Sequence, residues 1–114
     1  MVLDNEQLGG LAEAAGVEGV NTIITAFWEA TAQLTADLAA AVDACDYNAV
    51  LQLSHAIKGS AANVGASRLA ERARLVEDAA RAEASDVMRA EVQSMPEDIS
   101  ATKLAIEDLL ATYA

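Results

Sequence analysis

The chain has 114 residues, 54% of them hydrophobic and only 4% aromatic, which is enough apolar material for one domain and favours closely packed helices over sheets. Its formal net charge of −11 excludes nucleic acid and an anionic membrane surface as partners, since binding to either depends on lysine and arginine. No apolar run is long enough to span a bilayer, Met1-Val2-Leu3-Asp4-Asn5-Glu6 lacks the features of a signal peptide, and a lone cysteine forms no internal disulfide. A soluble cytoplasmic protein is expected.

A short helix is predicted over roughly residues 4–15, weakened at Gly9-Gly10 and ended by Gly16 and Gly19. A second runs from about Asn21 to Asp43 on the repeat Ile23, Phe27, Leu34, Leu38, Ala41 and Cys45, which makes Cys45 a buried small hydrophobe. Ile24 and Trp28 fall to one side of that stripe. They either pack under the N-terminal helix, as large aromatics favour, or form an exposed patch.

Asp46 is placed to cap a third helix, from about Tyr47 to Asn63, with Val50, Leu53, Ile57, Ala61 and Val64 inward. Gly65 suits a left-handed C-cap, and Ser67 suits the N-cap of a fourth helix reaching about Ala82, with Leu69, Ala73, Val76 and Ala80 inward. So short a connection makes the two helices antiparallel neighbours. In the last stretch, Met88, Val92, Met95, Ile99, Thr102, Ile106, Leu109 and Tyr113 keep one phase straight through Pro96, so one long bent helix is predicted rather than two. The fold class is all-α: an antiparallel four-helix bundle with an additional short N-terminal helix, forming a single domain over residues 1–114.

His55 is the only histidine, and it lies in the middle of the third helix. At about 100° per residue, Leu51, Lys58, Gly59 and Ala62 share its narrow sector while Leu53, Ile57 and Val64 lie opposite. The imidazole therefore points away from the core, with a cation one turn on and only Gly or Ala beyond. Between His55 and Arg81, Lys58, Arg68, Arg72, Arg74 and Arg81 outnumber Glu71, Glu77 and Asp78, a local +2 against −13 elsewhere. Such an island suits an anionic group or an acidic partner, with Arg72 among the contacts; alternatively the arginines pair with acids of their own helix. No second histidine or cysteine pair completes a metal site, and no glycine-rich loop cradles a nucleotide, so no metal and no ATP-dependent kinase activity are expected.

The run His55-Ala56-Ile57-Lys58-Gly59-Ser60-Ala61-Ala62-Asn63-Val64-Gly65 resembles the signature of histidine phosphotransfer (HPt) domains of two-component phosphorelays: His, any residue, Leu or Ile, Lys, Gly, then small residues and a later Gly. The resemblance extends more weakly over most of the chain. It implies a four-helix bundle whose exposed histidine carries a phosphoryl group between aspartates of receiver domains, in response regulators or hybrid histidine kinases. His55 would be the phosphorylated nucleophile, Lys58 the charge beside the phosphoryl group, and Gly59 the position kept small for the receiver. Leu51, Ala62 and Arg72 complete the expected partner face. The carrier would need no cofactor of its own, the Mg2+ belonging to the receiver, and would act as a monomer. Many members have a Gln where this chain has Glu77, twenty-two residues after His55. That glutamate could accept from the imidazole Nδ1–H and leave Nε2 as nucleophile, or it could point to solvent. An exposed histidine needs no general base, being largely neutral at pH 7. The competing reading is a helical adaptor that binds a partner without phosphotransfer. The start at Met1 and the end soon after the final helix suit a free-standing shuttle, although an excised domain would look the same.

Overall fold

In the computed structural model, which describes residues 1–113, four helices account for nearly all of the chain, and the described residues contain no strand. They are α1 (Asn5–Asp43), α2 (Tyr47–Asn63), α3 (Ser67–Arg81) and α4 (Ser85–Ala111). Each packs against its neighbours in chain order, and α4 returns to α1. Leu8, Val20, Leu38, Val50, Ile57, Leu69, Val76 and Met88 are fully buried between them.

The first helix breaks at Gly16, as its sequence predicts, but the helix after it begins earlier than expected. Gly16 leaves helical geometry at φ 77° and ψ 170°, but helix resumes directly after it, so Gly19 lies within α1 rather than ending a separate element. One residue with no Cβ is enough to redirect the chain there. Beyond that kink the inward series is Ile24, Phe27, Thr31, Leu38 and Ala41, with Leu34 half-buried, an unbroken alternation of three and four steps. Ile23, expected inside, is 37% exposed because Ile24 takes the core position. Trp28 is half-buried against α4, where the Lys103 ammonium sits 5.0 Å from its ring centre, and it meets Phe27 edge-on at 4.7 Å. Cys45 is exposed, contrary to expectation. The helix has ended at Asp43, so Cys45 turns away in a left-handed conformation (φ 52°), and Arg89 reaches its sulfur.

The histidine helix has the boundaries its sequence predicts. The Asp46 carboxylate accepts from the Ala49 amide at its start, and Gly65, at φ 77°, turns the chain after its end. Leu53, expected inward, is half-buried, and Ser54 occupies the core instead, its hydroxyl donating to the Val50 carbonyl at 2.6 Å. That bond satisfies the polar atom within the helix's own backbone.

The N-terminal residues fasten onto the same end of α2. Asp4 N–H donates to the Gly65 carbonyl, and the Gln7 amide donates to the carbonyls of Ala62 and Asn63 in the last turn of α2. The Val2 carbonyl accepts from Arg68 N–H at the start of α3. Ser67 is therefore not the N-cap of α3. It is the first helical residue, its hydroxyl donates back to Gly65, and a backbone carbonyl takes up an amide that a capping side chain would otherwise serve. The final helix runs unbroken through Pro96, with Met88, Met95, Thr102 and Ile106 buried along its phase and Val92, Ile99, Leu109 and Tyr113 half-buried.

Gly65 and Gly59 make opposite predictions. A Cβ on Gly65 would lie 3.0 Å from the Asp4 carbonyl at a positive φ, so Gly65→Ala should cost about 1–2 kcal/mol or more in urea unfolding. Gly59 is helical with nothing within 4 Å of its missing Cβ, so Gly59→Ala should gain about 0.5–1 kcal/mol in the same measurement.

Candidate functional site

The short turn at Gly65 sends α3 back along α2, and this places Glu77 beside His55. His55 keeps 71% of its side chain in solvent, whereas Glu77 is buried to within 6%. The Oε2 atom of Glu77 lies 2.9 Å from His55 Nδ1, and Oε1 accepts from Lys58 Nζ at 2.8 Å. Arg81, one turn further along α3, brings a guanidinium nitrogen to 3.7 Å from the same Oε1. One dry carboxylate thus meets three nitrogen groups from two helices.

The electrostatics decide which ring nitrogen is free. The Lys58 hydrogen bond holds the Glu77 carboxyl below its ordinary value; burial opposes this, and the His55 bond supports it. An ionised carboxylate only accepts hydrogen bonds, so Nδ1 carries the proton. In the neutral ring the lone pair is then on Nε2, which has no hydrogen-bond partner among the described residues. Sequence reasoning left open whether Glu77 faces the ring or the solvent; here it faces the ring.

Around His55, Gly59 and Ala62 are exposed and Leu51 is half-buried, with open space above Gly59. Arg72 is not part of this face. It lies about 140° around α3 from Glu77 and binds Asp98 and Glu91 of α4, both of which hold its guanidinium above its ordinary value. The expected partner contact is thus a cross-link between helices. Arg74 is spent on Glu71 and Asp78 of its own helix, so the basic island is largely neutralised locally. Lys58 and Arg81 are the cations that remain with Glu77. Sequence reasoning missed the part played by Arg81, although its spacing of four residues from Glu77 was the signal for it.

Comparison with known proteins bears on the family and the fold. The family model described as Hpt domain matches residues 22–112, which is most of the chain. The chain belongs to the Hpt domain family. Histidine phosphotransfer in a phosphorelay is the function that goes with it. In fold, this Hpt domain is similar to the crystal structure of histidine-containing phosphotransfer protein B (HptB) from Pseudomonas aeruginosa PAO1. The TM-score is 0.87 at 23% sequence identity, over 99% of this chain and 97% of that one. No curated protein matches the sequence. Hpt domains work with receiver domains, and no helix among the described residues is long and apolar enough to cross a membrane.

Because the folded-state value of Glu77 is depressed, its contribution to stability is present above the ordinary glutamate value of 4.5 and is lost as pH falls below that, through the lower folded value. Unfolding titrations from about pH 7 to about pH 3 should show an acid limb that Glu77→Gln makes shallower. An equally steep limb in the variant would assign the acid sensitivity to other carboxylates.

Proposed function

We propose that this Hpt domain carries the phosphoryl group on Nε2 of His55, taking it from an aspartyl phosphate of one receiver domain and passing it to an aspartate of another. The receivers belong to response regulators or hybrid histidine kinases. The bond between Glu77 and Nδ1 carries the reading, because it presents the nucleophilic nitrogen outward on a bare helix face. The scaffold is read as an antiparallel four-helix bundle, with the residues before Gly16 as an additional short helix. It acts as a cytoplasmic monomer.

In the transfer, the Nε2 lone pair forms the N–P bond while the P–O bond to the donor aspartate breaks, and the aspartate leaves as a carboxylate with the electron pair. The ring keeps its Nδ1 proton and becomes a phosphorylated imidazolium. Glu77, already ionised, faces that new positive charge from the far side of the ring, where it is distant from the phosphoryl oxygens. In the second step the same ring departs as neutral imidazole, a far better leaving group than an imidazolate. Keeping Nδ1 protonated therefore favours onward transfer. Lys58, one turn along α2, supplies a cation to the phosphoryl oxygens, and positioning provides the rest. The Mg2+ that assists the reaction is the receiver's, and the carrier supplies no cofactor of its own.

Incubation with a phosphorylated receiver should place an acid-labile, alkali-stable phosphate on the wild-type chain and none on His55→Gln. Binding that persists in His55→Gln, with no phosphate on the wild type, would identify an adaptor instead. Lys58→Ala should slow transfer about tenfold, the effect of losing about 1.4 kcal/mol of charge stabilisation. Gly59→Leu should weaken receiver binding by filling the open space beside His55, and unaltered affinity would move the docking face elsewhere.

A further inference from the structure

Glu77 and its two flanking cations hold more than the orientation of His55 requires. Lys58 is a single ammonium on a flexible stem, and it donates to Oε1 of Glu77 at 2.8 Å. A phosphoryl group on Nε2 brings roughly two further negative charges within reach of the same lysine. Were Lys58 to turn toward it, Oε1 of the buried carboxylate would lose its hydrogen bond, leaving the imidazolium on Oε2 as the one close cation, and an unpaired buried acceptor is unfavourable.

Arg81 is placed to prevent that loss. Its Nη2 is 3.7 Å from Oε1, less than about 1 Å beyond hydrogen-bond distance. Its other terminal nitrogen rests 3.2 Å from Asp78, and the side chain is 63% exposed, so a small rotation brings it in. Asp78 does not become unpaired by this, because Arg74 also binds it at 2.7 Å. Neither of the neighbouring arginines can substitute: Arg72 is held by α4, and Arg74 by Glu71 and Asp78.

We propose that Arg81 is a positioning residue that replaces Lys58 on Oε1 of Glu77 when His55 is phosphorylated, freeing Lys58 for the phosphoryl oxygens. With Arg81 counted, the phosphoryl group, Glu77, the imidazolium, Lys58 and Arg81 come close to electroneutrality. Without it the cluster carries a net negative charge on a partly dry site. The exchange rests on the assignment of His55 as phosphoryl carrier and adds to it a second cation that works through Glu77.

Phosphoramidate phosphorylates histidine directly, so the test needs no receiver. The phosphoryl nitrogen–phosphorus bond of the reagent breaks, ammonia leaves, and Nε2 takes the phosphoryl group. The rate of His55 phosphorylation, followed by 31P NMR, should fall roughly two- to fivefold in Arg81→Gln, the size expected from an exposed cation's ion pair, and recover in Arg81→Lys. In a Glu77→Gln background, Arg81→Gln should have no further effect. On phosphorylation of the wild type, the Arg81 guanidinium 15N resonance should shift and its protons exchange more slowly. An Arg81→Gln effect of equal size in both backgrounds, no effect in the wild-type background, or an Arg81 resonance unmoved by phosphorylation would overturn the exchange. If the exchange is seen while receivers fail to transfer to His55, the relay reading falls and the cation exchange stands. If phosphoramidate leaves His55 unmodified while modifying free imidazole, both fall.

Discussion

A carboxylate held nearly out of water between two helices is the constraint on which the rest of this site depends. Lys58 and His55 of α2 bond to the two oxygens of Glu77, and these bonds outweigh burial and hold its carboxyl below the ordinary value. The same bonds fix the imidazole tautomer and join α3 to α2 at His55. A neutral amide at this position could still bond the ring nitrogen, but it can donate as well as accept and would bring no charge. The glutamate adds an electrostatic partner for a ring that would become cationic in the proposed transfer, together with a standing need for cations around itself.

The second interhelical network answers a similar need elsewhere in the bundle. Arg72 reaches from α3 to the nearly buried Asp98 and to Glu91 of α4, so α3 is tied by charge on both sides. Its apolar residues, Leu69, Ala73, Val76 and Ala80, fill the space between. One helix therefore transmits its position to both the histidine helix and the final helix, and the inward shape of α3 and its ion pairs are set by the same rigid element.

Much of this was legible in the chain. Asp46 and Gly65 mark the limits of the histidine helix because capping chemistry is local: one carboxylate reaches one amide, and one residue without a Cβ tolerates a positive φ. The continuous phase through Pro96 was legible for a similar reason, since a helix that keeps its stripe has one buried side throughout. What escaped the reading was decided by atoms distant in sequence. The Val2 carbonyl serves the start of α3, which leaves Ser67 without a capping role. The partners of Arg72 lie a helix away. Ser54 sits in the core because its hydroxyl is satisfied by its own helix, which hydrophobicity does not register. Cys45 and Ile23 failed for a simpler reason: the stripe was carried past the helix end at Asp43 and was begun at Ile23 where Ile24 takes the core position.

The exposure of His55 has a final consequence for encounter with a partner. A surface side chain normally samples several rotamers, and a protein that docks on it must remove that freedom at the moment of contact. Here the bond to Glu77 has already restricted the ring when the chain folds, although most of its surface remains in water. The conformational entropy is lost during folding rather than during association. A partner docking on this face would thus meet the same atom in the same direction, and its discrimination is left to the surface around it, where Gly59 and Ala62 give an open shape and Lys58 and Arg81 supply charge.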